Sequence, residues 1–228
     1  MRIEGNEIFE IEERLPGEVE LEIFVNGEHF AKAMITPSQE REFVAGHLRY
    51  RGLIEDASQI ISLKVEGSKA WADIKPTSET VREVETEWAV GEADLIVRAD
   101  WILANLLVTL DSDLYKKTGG THTSSLCRGE AILATAEDVG RLNTLDKVFG
   151  WGILRGLDLE RCYVVTSGRI TSATVEKVER FNLPLVASKG AVTTLAVEMA
   201  EKRGMTLVGF AREMRMNVYV GGDRVTLD

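Results

Sequence analysis

This 228-residue chain has only two cysteines, Cys127 and Cys162. They make neither a disulfide framework nor a metal-ligand spacing. Basic residues are also short, 27 Lys and Arg against 37 Asp and Glu, for a formal net charge of -10. That balance excludes a surface built for nucleic acid, which needs a basic face. It leaves room for an anionic ligand in a local basic pocket. No apolar run is long enough to span a membrane. Met1-Arg2-Ile3-Glu4-Gly5 leads into an acidic stretch rather than a secretory signal, so the chain reads as cytoplasmic. There is no internal repeat and no low-complexity segment. Neither a Walker sequence nor a G-x-G-x-x-G run is found, which leaves an ordinary nucleotidase or dehydrogenase unsupported.

What remains is a globular composition, 44% hydrophobic and 28% charged, in a chain long enough for one large domain or two small ones. The first half reads as β-rich. Leu21 to Val25 alternates at period two, Asn26-Gly27 is a tight-turn signal, and His29 to Ile35 resumes, giving a β-hairpin. Thr36-Pro37-Ser38 starts a helix with Ser38 as its cap. Phe43, Val44, His47 and Leu48 share one face, and Arg51-Gly52 ends it. A second hairpin is expected from Ile60 to Val65 and Ala70 to Ile74. The acidic stretch Pro76 to Gly91 reads as one more strand in a looser connection, and Ala99 to Leu110 as a helix with Trp101, Ile102, Leu106 and Leu110 inward.

From Thr118 the pattern changes. Two strands, around His122 and over Glu130 to Ala136, precede a helix from Arg141 to about Leu154. Strands at Cys162–Thr166, Leu185–Ser188 and Thr206–Phe210 then alternate with helices at about Thr171–Phe181 and Val192–Lys202, and a strand near Met216–Val220 follows. Near-continuous apolar strands separated by helices imply a parallel sheet covered on both faces. The expected architecture is α/β, with a smaller β-rich domain over residues 1–98 and an α/β domain over 99–228.

Each parallel strand ends in a small or charged cluster: Ser167-Gly168-Arg169, Ser188-Lys189-Gly190-Ala191 and Gly209-Phe210-Ala211-Arg212, with Arg215 nearby. Ligands of open α/β sheets bind beyond these strand ends, where free N–H groups and helix dipoles favour phosphates. A phosphate-bearing ligand is therefore expected. Thr118-Gly119-Gly120-Thr121-His122 and Glu137-Asp138-Val139-Gly140-Arg141 place glycines beside ionisable groups. His122 fits acid–base or ligand duty equally with a structural role, and Glu137-Asp138 fits a site equally with a helix cap. His29 and His47 read as structural. Asn143, Asp146 and Lys147 are expected to pair within their helix or at its surface. Cys162 opens an apolar strand and reads as buried and inert. Cys127 is left as the only candidate reactive thiol.

These segments, with Leu21-Glu22-Ile23-Phe24-Val25-Asn26-Gly27, Ala45-Gly46-His47-Leu48, Thr166-Ser167-Gly168-Arg169-Ile170 and Thr206 to Arg212, resemble the FdhD family over nearly the whole chain. The family comprises accessory proteins of formate dehydrogenase. The resemblance implies a cytidine-deaminase-like fold in the C-terminal part. It implies a sulfur carrier that takes sulfur from a cysteine desulfurase and passes it to the molybdenum cofactor of formate dehydrogenase, or of a related molybdo- or tungsto-oxidoreductase. The implied ligand is bis-molybdopterin guanine dinucleotide, with guanine nucleotides as partial mimics, and the implied assembly is a homodimer. Phe210-Ala211-Arg212-Glu213-Met214-Arg215 looks like the family's cofactor-binding segment. With the strand-end and loop residues the expected binding set adds Gly119, Gly120, His122, Ser167, Gly168, Arg169, Ser188 and Lys189.

The chain departs from the family where it matters most. The family's persulfide cysteines lie in a C-x-x-C loop, whereas Glu92 to Asp100 contains no cysteine. Leu142 and Glu213-Met214 also depart, standing where histidine and glycines are common. The zinc deaminase signature is absent. Three readings follow: sulfur transfer through Cys127 or a partner's thiol, cofactor chaperoning without sulfur chemistry, or hydrolysis of a nucleotide-like substrate by His122, Glu137 and Asp138.

Overall fold

The computed structural model describes residues 1–75 and 95–227. In chain order the elements are β1 (Arg2–Glu4), β2 (Glu7–Phe9), β3 (Val19–Val25), β4 (Glu28–Ile35), α1 (Glu40–Tyr50), β5 (Ile60–Glu66) and β6 (Lys69–Ile74). Next come β7 (Val97–Arg98), α2 (Ala99–Leu110), α3 (Asp113–Thr118), β8 (His122–Arg128), β9 (Ala131–Asp138) and α4 (Arg141–Leu154). The rest are β10 (Tyr163–Thr166), α5 (Ser172–Arg180), β11 (Leu185–Ser188), α6 (Thr194–Arg203), β12 (Thr206–Arg212), β13 (Arg215–Val220) and β14 (Val225–Thr226). The strand expected within Pro76 to Gly91 lies outside the described residues.

Both expected hairpins form and join one four-stranded sheet in the order β4-β3-β6-β5. Its buried face, Leu21, Ile23, Ala70 and Ala72, packs on Phe43, Val44 and Leu48 of α1. The period-two and helical patterns thus meet on one core. A six-stranded sheet follows in the order β13-β12-β11-β10-β8-β9. β10, β11 and β12 run parallel as expected, with antiparallel strands on both sides. Every residue of β10 and β11 is buried. Val164 and Val186 face α4, α5 and α6, while Tyr163, Val165 and Cys127 face α2. Two covered faces explain why these strands are continuously apolar.

The two sheets are joined by helix crossing and by buried charge. Helices α1 and α4 cross at Gly46 and Gly150, where a Cβ on either would overlap backbone of the other helix. Beside the crossing, Lys147 Nζ sits 2.6 Å from Asp138 Oδ2, with both side chains fully buried. The same ammonium donates to the carbonyls of Thr36 (3.0 Å) and Glu137 (3.2 Å), and Thr36 N donates to Asp138 Oδ2 at 3.0 Å. Asp146 instead meets Lys177 of α5 at 2.6 Å. The expected pairing within α4 is therefore corrected, because these adjacent side chains point to different neighbours.

Other local expectations change too. Ser38 does not cap α1: Gln39 holds the cap position with a left-handed backbone (φ 54°), and Ser38 Oγ accepts from Lys147 Nζ at 3.4 Å. The β1–β2 hairpin, exposed throughout, was not foreseen. Nor was α3, although Ser112 before Asp113 is a cap signal and its Oγ accepts from Tyr115 N at 3.0 Å. Val97 and Arg98, just before α2, pair in parallel with Val225 and Thr226. Among the described residues no helix is long and apolar enough to cross a membrane.

Candidate functional site

The carboxyl ends of β10 and β11 and the start of β8 converge on a cavity of about 510 Å³. Gly119, Gly120 and Thr121 form one wall with Tyr115, His122 and Ser167 another, and Lys189-Gly190 the rim. The volume is that of an ordinary small-molecule site. Helix α6 begins four residues after Gly190, at Thr194, without a side-chain cap, which leaves first-turn N–H groups without an acceptor from the cap.

The loops around the cavity are stitched to one another. Ser167 N donates to Thr123 O (2.9 Å), Thr123 N to Ser167 Oγ (3.0 Å), Lys189 N to Thr166 O (3.3 Å) and Gly168 N to Thr166 Oγ1 (3.2 Å). Gly190 N donates to Ser188 Oγ at 2.8 Å, and Phe210 N to Gly190 O at 3.0 Å. The expectation of free N–H groups in these loops is thereby corrected: the strand-end amides serve the fold. Charge at the site comes from side chains. Burial first, then the Arg141 and Arg169 guanidiniums, hold His122 below its ordinary value, against a smaller pull from Asp138. His122 is thus a neutral imidazole at pH 7, and Ser167 Oγ lies 3.5 Å from its Nδ1.

Of the expected binding set, Gly119, Gly120, His122, Ser167 and Lys189 line the cavity together. The glycines are there for local reasons. Gly119 takes the left-handed cap of α3 (φ 66°), and a Cβ on Gly120 would sit 2.8 Å from Cγ of Pro16. Gly168 and Arg169 lie near His122 without lining the cavity. The Phe210–Arg215 segment forms the adjacent β12–β13 hairpin, joined to the rim through Phe210 and Gly190; Glu213 is left-handed (φ 54°) and Met214 is 92% exposed. Ala211 is buried in the core under α2. Ser188 is fully buried and its hydroxyl donates to Gly168 O. Neither side chain reaches the cavity, because each is spent on the fold.

Cys127 needs the same correction. It lies in the core facing α2, fully buried, its Sγ 3.7 Å from Ser125 O, and burial pushes its thiol up to about 12. Period-two alternation on β8 puts it on the inward face, which the sequence could not distinguish from an edge. Cys162 is buried as expected; burial raises its thiol too, with Arg128 at 3.5 Å opposing. Neither Glu137 nor Asp138 lines the cavity. Asp138, fully buried, accepts from Gly140 N and Asn143 Nδ2, both at 2.8 Å, just before the Gly140 cap of α4.

Arg141 belongs to the Glu137–Arg141 segment singled out in the sequence but not to the expected binding set, and it does not line the cavity. It opens α4 beside His122, and the signal was its position. A cation in a first helical turn opposes the macrodipole, so its placement there calls for another reason.

The comparisons agree with one another along the chain. The model of the FdhD/NarQ family matches residues 16–94 and 89–226. Curated relatives called sulfur carrier protein FdhD include that of Bacillus pumilus, 32% identical over 92% of this chain and 89% of the relative. That of Bacillus subtilis is 30% identical over 98% of this chain and 95% of the relative. A crystal structure described as a putative formate dehydrogenase accessory protein from Desulfotalea psychrophila superposes with a TM-score of 0.84. It is 28% identical over 94% of this chain and 91% of that one.

Proposed function

The chain belongs to the FdhD/NarQ family, and from that premise we propose that it is a maturation accessory of formate dehydrogenase. It binds the molybdenum or tungsten bis-molybdopterin guanine dinucleotide cofactor and hands it on without carrying sulfur on a thiol of its own. The observation that carries this reading is the contrast between its two kinds of site. Lys189 lines the cavity, and Arg141 and Arg169 act on its His122, in a chain of net charge -10, while both cysteines of the chain are buried.

The residues fit the group. Lys189 at the rim and the guanidiniums near His122 supply attraction for phosphates. The cavity matches one nucleotide-sized end of the dinucleotide, and the Phe210–Arg215 hairpin is positioned to hold what extends beyond it. The cofactor itself supplies the redox-active metal centre. This chain's part is to bind, orient and shield it from water until transfer.

A sulfur carrier needs an accessible thiolate. Burial raises the thiols of Cys127 and Cys162, so sulfur delivered by a cysteine desulfurase would travel on the partner's thiol. Incubation with a desulfurase and cysteine, followed by intact and peptide mass spectrometry, is expected to find no added sulfur on either residue. A persulfide on Cys127 would restore the sulfur-carrier reading.

The 3.5 Å contact of Ser167 with neutral His122 favours a second reading, nucleotide hydrolysis. The amides of Ser167, Gly168, Lys189 and Gly190 are already engaged, which removes the usual oxyanion donors. Turnover of a nucleotide lost in His122→Ala would support it all the same.

A further inference from the structure

We propose that Arg141, together with His122 and Arg169, forms a subsite for a phosphate dianion adjoining the His122 wall of the cavity. The nucleotide identity of the ligand rests on the reading above; the subsite rests on its own geometry.

The chain treats its other inward cations differently. Lys147 and Lys177 each hold a buried carboxylate at 2.6 Å. Among the described residues, no carboxylate forms an ion pair with Arg141 or Arg169. Arg141 Nη2 donates to Thr171 Oγ1 at 3.3 Å, while its Nε is buried without a hydrogen-bond partner. Such a donor, charged and unsatisfied, is costly in a finished fold and asks for an acceptor. A second orphan stands next to His122 in sequence and on the cavity wall: Thr121, at 5% exposure, whose Oγ1 has no partner.

Gly168 shows that the arrangement is built. A Cβ there would stand 3.1 Å from Arg141 Cβ, 3.4 Å from Arg141 Cδ and 3.7 Å from His122 Nδ1. Arg141 and His122 therefore meet across a residue with no side chain. Facing His122 are Arg141 and Arg169, with Ser167 within 3.5 Å and Asp138 more remote in effect. An oxyanion accepting from the Nε edge of Arg141 would satisfy that donor in side-on geometry, the guanidinium's preferred mode. It would also offset the two positive neighbours of His122, so the imidazole takes up a proton and becomes a second donor. A terminal phosphate, on a nucleotide or free, has the needed charge and shape.

The test follows His122 by NMR across pH in the full chain, with inorganic phosphate as probe. Without phosphate the wild type titrates below about 6.5; with phosphate the midpoint rises by about one unit. Arg141→Ala is expected to raise the midpoint by itself and to abolish the phosphate-induced rise. Arg141→Lys keeps the charge but not the planar edge, and weakens phosphate roughly tenfold. Arg169→Ala, in a loop rather than a helix, serves should Arg141→Ala fail to fold, and is expected to diminish the rise. No rise in the wild type, or a full rise in Arg141→Ala, overturns the subsite. Calorimetry separates the two claims. Guanosine diphosphate bound equally by wild type and Arg141→Ala, with His122 unmoved, sinks the subsite and leaves the cofactor reading intact. A phosphate response without guanosine diphosphate binding supports the subsite and sinks the nucleotide reading.

Discussion

Lys147 and Asp138 form an ion pair with no exposed surface on either side chain, at 2.6 Å, on the seam between the two sheets. Removing one partner leaves the other charge buried and unpaired. Lys147→Met is expected to destabilise the protein by about 3–5 kcal/mol, read as a lower urea midpoint. Because Thr36, Gly140 and Asn143 also donate to Asp138, Asp138→Leu should cost no less. The Lys147→Met/Asp138→Leu double variant should cost less than the sum of the single changes, since no charge is then stranded.

The crossing of α1 over α4 depends on two missing side chains. Gly46→Ala or Gly150→Ala must push helix backbones apart. Each is expected to cost about 1–3 kcal/mol or more by overpacking, although alanine favours an isolated helix. Unchanged or raised stability in urea melts would show that the helices separate freely.

The thiols give a direct check on burial. With Cys127 held near 12 and Cys162 raised as well, the thiolate fraction at pH 8 is small and shielded. An aromatic disulfide reagent is expected to label neither cysteine of the native chain over minutes and both in denaturant. Rapid native labelling of Cys127 would contradict its placement in the core.

Local pattern carried much of this fold. The helices over Ala99–Leu110 and Arg141–Leu154, both large hairpins and the three parallel strands were readable because each is set by periodicity and by turn residues within a few positions. What escaped was long-range. Thr36 meets Asp138 across 102 positions, and no local pattern tells such a buried acid from a catalytic one. The same holds for Cys127, whose exposure depends on α2 covering one face of β8. The cavity was legible as strand-end clusters, since topology sends those ends to one place. Its chemistry was less so: Ser188 and Ala211 have suitable positions in sequence but their side chains turn inward. Arg141 stood out in the sequence with the Glu137–Arg141 segment, but its approach to His122 and Gly168 is a long-range contact that no local pattern shows.

The central claim is that the strand-end cavity takes the phosphate-bearing end of a guanine nucleotide cofactor. A crystal structure of the protein grown with guanosine diphosphate tests it most directly. The account predicts diphosphate density between Lys189, His122 and Arg141, with the guanosine toward the Phe210–Arg215 hairpin. Diphosphate bound elsewhere, with the cavity holding only water, would contradict it.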